Sequence, residues 1–95
     1  MSTPEGKVKA KVKKALNAIP GCYSFMPVQT GMGAATLDYL CCVNGRFVAI
    51  ETKAPGKKLT PRQEITRAQI FDAGGKVYVV SDEDSLAHMN ETICR

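Results

Sequence analysis

The chain has no tryptophan, one histidine and only three tyrosines and three phenylalanines. No apolar run approaches the roughly 20 residues needed to span a bilayer, and no secretory h-region opens the sequence. The expectation is therefore a cytoplasmic protein with no membrane association. Cys22, Cys41, Cys42 and Cys94 form neither a CxxC pair nor the His/Cys spacing of a zinc site. The adjacent Cys41 and Cys42 on a strand would face opposite ways. These thiols read as reduced, mostly buried small hydrophobes rather than as a redox or metal centre. His88, spaced with Leu86 and Met89, reads as a surface or packing residue and not as a general base. Tyr23 and Tyr39 read as packing residues rather than base-stacking platforms. Internal repeats and low-complexity tracts are absent too.

What is present is ordinary in amount and uneven in placement. At 95 residues, 44% hydrophobic and 23% charged, the chain has room for one domain spanning residues 1–95, and its composition excludes wholesale disorder and fibrous architecture. A formal charge of +4 fits a polyanionic partner without requiring one. Lys7, Lys9, Lys11, Lys13 and Lys14 crowd the N-terminal segment, where a lysine-rich outer helix face is a common solubility device. Lys53, Lys57, Lys58, Arg62 and Arg67 crowd the middle.

Local signals divide the chain into seven elements. Ser2-Thr3-Pro4-Glu5 starts a helix, with Thr3 as N-cap and Pro4 at the first helical position. Val8, Val12, Leu16 and Ile19 then recur at helical spacing, and Pro20-Gly21 stops the helix near Ala18. CYSFMPVQ, from Cys22, reads as a short strand that Pro27 confines to an edge or a bulge. The small, glycine-rich TGMGAAT from Thr30 reads as a flexible approach. Leu37 to Val43 and Arg46 to Lys53 are strands separated by Asn44-Gly45, the strongest short-range hairpin signal. Thr60 caps a second helix, with Pro61 at its first position and Gly74-Gly75 at its end. KVYVV is a short apolar strand suited to a parallel pairing buried on both faces. A last helix from about Glu83 presents Leu86, Met89 and Ile93 on one side. The simplest topology for this α-β-β-β-α-β-α order is a three-strand meander joined by a right-handed helical crossover to a fourth strand parallel to the third. The fold class is therefore α/β with a mixed sheet.

The stretch RFVAIETKAPGKK, Arg46 to Lys58, turns from apolar to charged at Glu51-Thr52-Lys53. A two-residue turn sets Val43 against Arg46, and counting outward from that pair brings Asp38 opposite Glu51. Carboxylates so opposed, with Cβ atoms about 4.5–5.5 Å apart, repel unless something compensates. Lys53 projects from the same face, about 7 Å further along. A hard cation such as Mg2+ takes one or two carboxylates, with water and substrate phosphate completing its shell. A lysine beside it can orient water or stabilise charge on a phosphate. A solvated strand end would explain a lone Glu-x-Lys. The opposed aspartate, the apolar strand leading in and the basic loop leading out favour a phosphodiester-hydrolysing metal site, provided no bulge slips the register.

These residues resemble the PD-(D/E)XK nuclease superfamily, and within it the virus-type replication-repair nuclease (VRR-NUC) family found in phages and bacteria. The resemblance rests on Asp38, Glu51-Thr52-Lys53, the LTPRQ that opens the second helix, AGGKVYVV and Glu5. It departs at Leu37, where the family often places proline. It implies a restriction-endonuclease-like α-β-β-β-α-β core, here with a C-terminal helix, and Mg2+- or Mn2+-dependent cleavage of DNA. Stand-alone members are associated with homodimers acting on branched DNA such as four-way junctions. By position, Asp38, Glu51 and the backbone carbonyl of Thr52 would hold metal, and Lys53 would assist the attacking water. Gln63 would face the site, and Glu5 would add a carboxylate near the metal. Each of the last two has a structural alternative: Thr60 and Gln63 form a capping box, and Glu5 suits a helix first turn. Lys57, Lys58 and Arg62 stand beside the site, where DNA phosphates would be met, although loop lysines are commonly only solvated. The expectation is a structure-selective endonuclease of a bacterial or phage-infected cell, acting in DNA repair. The rivals are a non-catalytic nucleic-acid-binding module on the same scaffold and, more remotely, a protein-interaction domain.

Overall fold

The computed structural model describes residues 3–28 and 35–95. Helix α1, Pro4–Asn17, begins where Thr3 Oγ1 accepts from the Gly6 amide at 3.0 Å. Strand β1, Cys22–Phe25, is followed by β2, Tyr39–Val43, and β3, Arg46–Thr52. Helix α2, Pro61–Asp72, carries a Thr60–Gln63 capping box, β4 is Lys76–Val80, and α3, Glu83–Thr92, is capped by Asp82. Asn44 at φ 51° and Gly45 at φ 84° make the tight β2–β3 turn, a conformation that asparagine and glycine adopt at little strain.

The sheet order is β1-β2-β3-β4, antiparallel between the first three strands and parallel between β3 and β4. That is the meander with a helical crossover. Val43 faces Arg46 and Tyr39 faces Ile50 with no slip between them. β3 lies between two neighbours, and its five residues from Val48 to Thr52 are all buried, which is why its sequence is nearly unbroken apolar up to Glu51.

Val8, Val12 and Leu16 of α1 and Met89 and Ile93 of α3 pack with Tyr39, Cys41, Val43, Val48, Ile50, Tyr78 and Val80 into one core on one face of the sheet. Helix α2 covers the other face beside β3 and β4. There a Cβ on Gly75 would stand 2.8 Å from Ile70 and 3.1 Å from Phe47, so only glycine allows the turn into β4 to lie this close. Lys76 Nζ donates to the carbonyls of Thr92 and Arg95 at 2.8 and 2.9 Å, satisfying the C-terminal end of α3.

Several expectations need correction. β1, the edge strand, ends at Phe25, so Pro27 lies beyond it and in no strand; Gln29 and most of the glycine-rich stretch, through Ala34, lie outside the described residues. Only Cys41 is fully buried; Cys22 is half-buried, while Cys42 and Cys94 are exposed, and all four are free thiols. Burial, with the neighbouring Cys22 adding to it, pushes the Cys41 thiol up to about 12. Tyr39 is buried as expected, but Tyr23 is 71% exposed. In β4, Tyr78 and Val80 are buried while Val77 and Val79 are only half-buried, because α2 leaves part of its face open. His88 is an exposed residue that meets the Tyr78 ring edge-on at 5.9 Å.

Ile50, fully buried at the centre of the sheet, sets the stability expectation. In urea titrations followed by circular dichroism, Ile50→Ala should lose about 2–5 kcal/mol. Ile65→Ala, on the exposed side of α2, should stay within about 0.5 kcal/mol.

Candidate functional site

Asp38 sits one residue before β2, and the ladder that pairs Tyr39 with Ile50 brings it opposite Glu51. Each carboxylate bonds the other's strand. The Asp38 amide donates to Glu51 Oε1 at 3.1 Å. The Thr52 amide and hydroxyl both donate to Asp38 Oδ2, at 3.0 and 2.6 Å. Hydrogen bonds to charged acceptors contribute about 1.5–3 kcal/mol each, so this reciprocal set holds the two acids together against their repulsion.

Helix α2 closes the site from above. The Gln63 amide does two jobs: its Oε1 accepts from the Thr60 amide at 2.9 Å, completing the capping box, and its Nε2 donates to Glu51 Oε2 at 2.9 Å. Gln63 thus caps its helix and bonds Glu51 at the same time. Lys53 Nζ stands 4.0 Å from the same Glu51 oxygen, with its side chain only 12% exposed. At that separation the attraction is one of charge, with room for a bridging water.

Glu51 is 4% exposed. Burial first, and the Asp38 charge second, push its carboxyl up to about 7, against the pull of the Asp38 amide and Lys53; Glu5 adds a further push upward. A buried acid titrating near neutrality, in contact with a second acid and a lysine, is a physical mark of a functional site.

The first helix contributes more than expected. Lys9, counted with the solubility lysines in the sequence, stands 3.9 Å from Asp38 Oδ1 and 3.5 Å from Glu5 Oε2, and its carbonyl accepts from the Tyr39 hydroxyl. Glu5 therefore joins the site through Lys9, as a half-exposed i,i+4 partner, rather than by closing on Asp38 and Glu51. Among the described residues no three His, Cys, Asp or Glu side chains converge into a metal-holding group. The Thr52 hydroxyl is a second residue that sequence reasoning missed, since it was considered only for its carbonyl. The Glu5–Lys9 spacing was a readable sign of pairing, but nothing in the sequence said which helix face would meet Asp38. Lys57, Lys58 and Arg62 are exposed on the loop and first turn leading to Gln63, flanking the site without touching it.

No family model matches the chain. Over 41 residues it is 42% identical to "Putative nuclease p44" of Acyrthosiphon pisum secondary endosymbiont phage 1, a match spanning 43% of this chain and 44% of that relative's length. A solved structure described as "VRR_NUC domain" superposes with a TM-score of 0.81 over 96% of this chain and 98% of that one, at 22% identity. The chain therefore has that fold, the mixed sheet with an α-β-β-β-α-β core and a final helix.

Glu51 carries a pH expectation for the metal-free protein. Its folded carboxyl holds a proton up to about 7, while the unfolded one loses it near 4.5. The folded state therefore binds more protons within that window, and stability should fall as pH rises through it. Melting in EDTA across this range should show the decline in the wild type and a flatter profile in Glu51→Gln. A wild-type midpoint that climbs between the two values would contradict the assignment.

Proposed function

We propose that the chain is a metal-dependent DNA endonuclease that hydrolyses phosphodiester bonds, with branched DNA such as four-way junctions as its preferred substrate. The observation that carries this reading is the convergence of Asp38 and Glu51, bonded to each other's strands, with Lys53 and Gln63 on the same Glu51 oxygen. The phage relative described as a nuclease and the shared VRR_NUC fold support it.

The donor set fits a hard divalent cation. It is all oxygen, with two carboxylates, and a dication would offset both the burial that chiefly raises Glu51 and the Asp38 charge that adds to it. Asp38, Glu51 and the Thr52 carbonyl would hold Mg2+ or Mn2+, with Glu5 close by through Lys9. A bound ion there supplies charge for the scissile phosphate and a more acidic water. The remaining work belongs to the chain's own residues. Gln63 holds the Glu51 carboxylate in one orientation, and the half-buried Lys53 ammonium offers a positive charge to water or to a phosphate oxygen as negative charge grows. Lys57, Lys58 and Arg62 meet flanking phosphates and set the strand's position.

A homodimer would bring two such sites to the two strands of a junction. An exposed apolar face supports a second copy: Tyr23 at 71%, with Phe25 and Phe47 each at 49%, lie in neighbouring cross-strand rows of β1, β2 and β3. The natural setting for this activity is DNA repair in the cytoplasm of a bacterial or phage-infected cell.

Labelled four-way junction, flap and linear duplex, incubated with protein in Mg2+, Mn2+ or EDTA, test the reading. Metal-dependent cutting, strongest on branched DNA, should drop by at least about a hundredfold in Asp38→Ala and Lys53→Ala, with binding in EDTA retained. Binding without cutting in the wild type would favour the non-catalytic module, and no salt-sensitive binding at all would remove both readings. Lys9 gives an independent check. Because its charge stands 3.9 Å from Asp38, Lys9→Gln should tighten Mn2+ binding about three- to tenfold, measured from free Mn2+ by paramagnetic resonance. Weaker binding in that variant would mean that Lys9 orients Asp38 rather than competing with the ion.

A further inference from the structure

On the sheet face opposite Asp38 and Glu51, a cavity of about 350 Å³ opens between the first turns of α1 and α3. Val8, Val80 and Leu86 form its apolar floor, and Pro4 and Pro55 form its sides. Its mouth carries charge of both signs. Lys11 pairs with Glu83, the Asp82 carboxylate accepts from the Ser85 amide and hydroxyl as the α3 cap, and Lys7 makes no ion pair among the described residues, so the four charges balance. The lining contains no aromatic ring.

The cavity backs directly onto the candidate catalytic site. Val80 pairs with Thr52, and its carbonyl accepts from the Lys53 amide at 3.0 Å, so one backbone seam separates the cavity floor from the Glu51–Lys53 edge. Helix α1 serves both places: Lys9 faces Asp38, while Lys7 and Val8 line the cavity. Pro55 lies only two residues beyond Lys53, about 7 Å of extended chain. The cavity also opens at the carboxyl ends of the parallel pair β3 and β4.

We propose that this cavity receives one unpaired nucleotide of the DNA strand being cut, base first, with its phosphate at Lys7. A nucleobase is flat and uncharged, with apolar faces and a polar edge; the apolar floor and the balanced rim fit that chemistry, and the unpaired Lys7 fits the phosphate. A base inside a duplex must leave its stack to enter, at a few kcal/mol, whereas a base at a branch point or flap enters at little cost. The cavity thereby gives the preference for branched DNA a physical source. This inference rests on the nuclease reading of the adjacent site, and its test separates the two.

Junctions carrying 2-aminopurine at single positions beside the branch point are titrated with protein in EDTA, where no cutting occurs. Fluorescence should rise by about threefold or more at one position, because the probe leaves its stack for a cavity without aromatic rings. Leu86→Trp, which fills the cavity, should abolish that rise and lower the ratio of junction to linear-duplex cutting in Mn2+ by about tenfold. Lys7→Ala, at an exposed position that folding does not need, should lower the same ratio and weaken junction binding. A probe signal that survives Leu86→Trp, or no rise at any position, overturns the proposal, as does an unchanged cutting ratio in Lys7→Ala. Free 2-aminopurine nucleotide that binds, seen as increased fluorescence anisotropy, with no rise in any junction would identify a small-molecule pocket and overturn it as well. If the wild type binds DNA with the probe rise but cuts nothing, the nuclease reading fails and the cavity assignment stands.

Discussion

Two carboxylates, Asp38 and Glu51, stand across the end of the β2–β3 ladder, and the rest of the site is arranged around keeping them there. Their repulsion is met locally, since the Asp38 amide bonds Glu51, and the Thr52 amide and hydroxyl bond Asp38. It is met from further away by Gln63, Lys53 and Lys9, drawn from α2, the strand end and α1 respectively. No buried polar side-chain atom among the described residues lacks a partner. A fully bonded polar cluster of this kind is rigid, because every member is located by at least one other.

The two faces of the sheet are used differently. One carries the core beneath α1 and α3, and that core holds β3 in place. The other is covered by α2 only beside β3 and β4, which buries Glu51 beneath Gln63 and leaves the aromatic rows of β1 to β3 exposed. The polar cluster therefore collects at the carboxyl ends of β3 and β4, where Lys53 and Gln63 both approach Glu51 and the cavity opens behind them. A chain of 95 residues has little interior to spare, and placing its functional groups at one sheet edge keeps them off the core.

Much of this was readable beforehand because the signals were local. Asn44-Gly45 admits one hairpin geometry, and a hairpin of known turn length has a countable register; Asp38 therefore met Glu51 in the sequence before it did so in space. The caps at Thr3 and Thr60 were legible for the same reason, each being a hydrogen bond across three residues. The misreadings concern exposure. Tyr23, Cys42 and Cys94 have apolar or small side chains that composition assigns to the interior; Tyr23 and Cys42 are exposed because they pair on the face of β1 and β2 that α2 does not reach, and Cys94 stands exposed past the last turn of α3.

The sequence by itself determined the order of elements, the turn, the caps and the pairing of the two acids, since each depends on residues within about one hairpin or one helix turn of one another. Tertiary structure alone decided which lysine would meet Asp38, that the Gln63 amide would serve both its helix and Glu51, and that a cavity would open behind the Lys53 edge. Those outcomes depend on the rotation and distance of α1, α2 and α3 against the sheet. That placement comes from the summed packing of Val12, Leu16, Ile50, Met89 and Ile93, a non-directional force that no short stretch of sequence encodes.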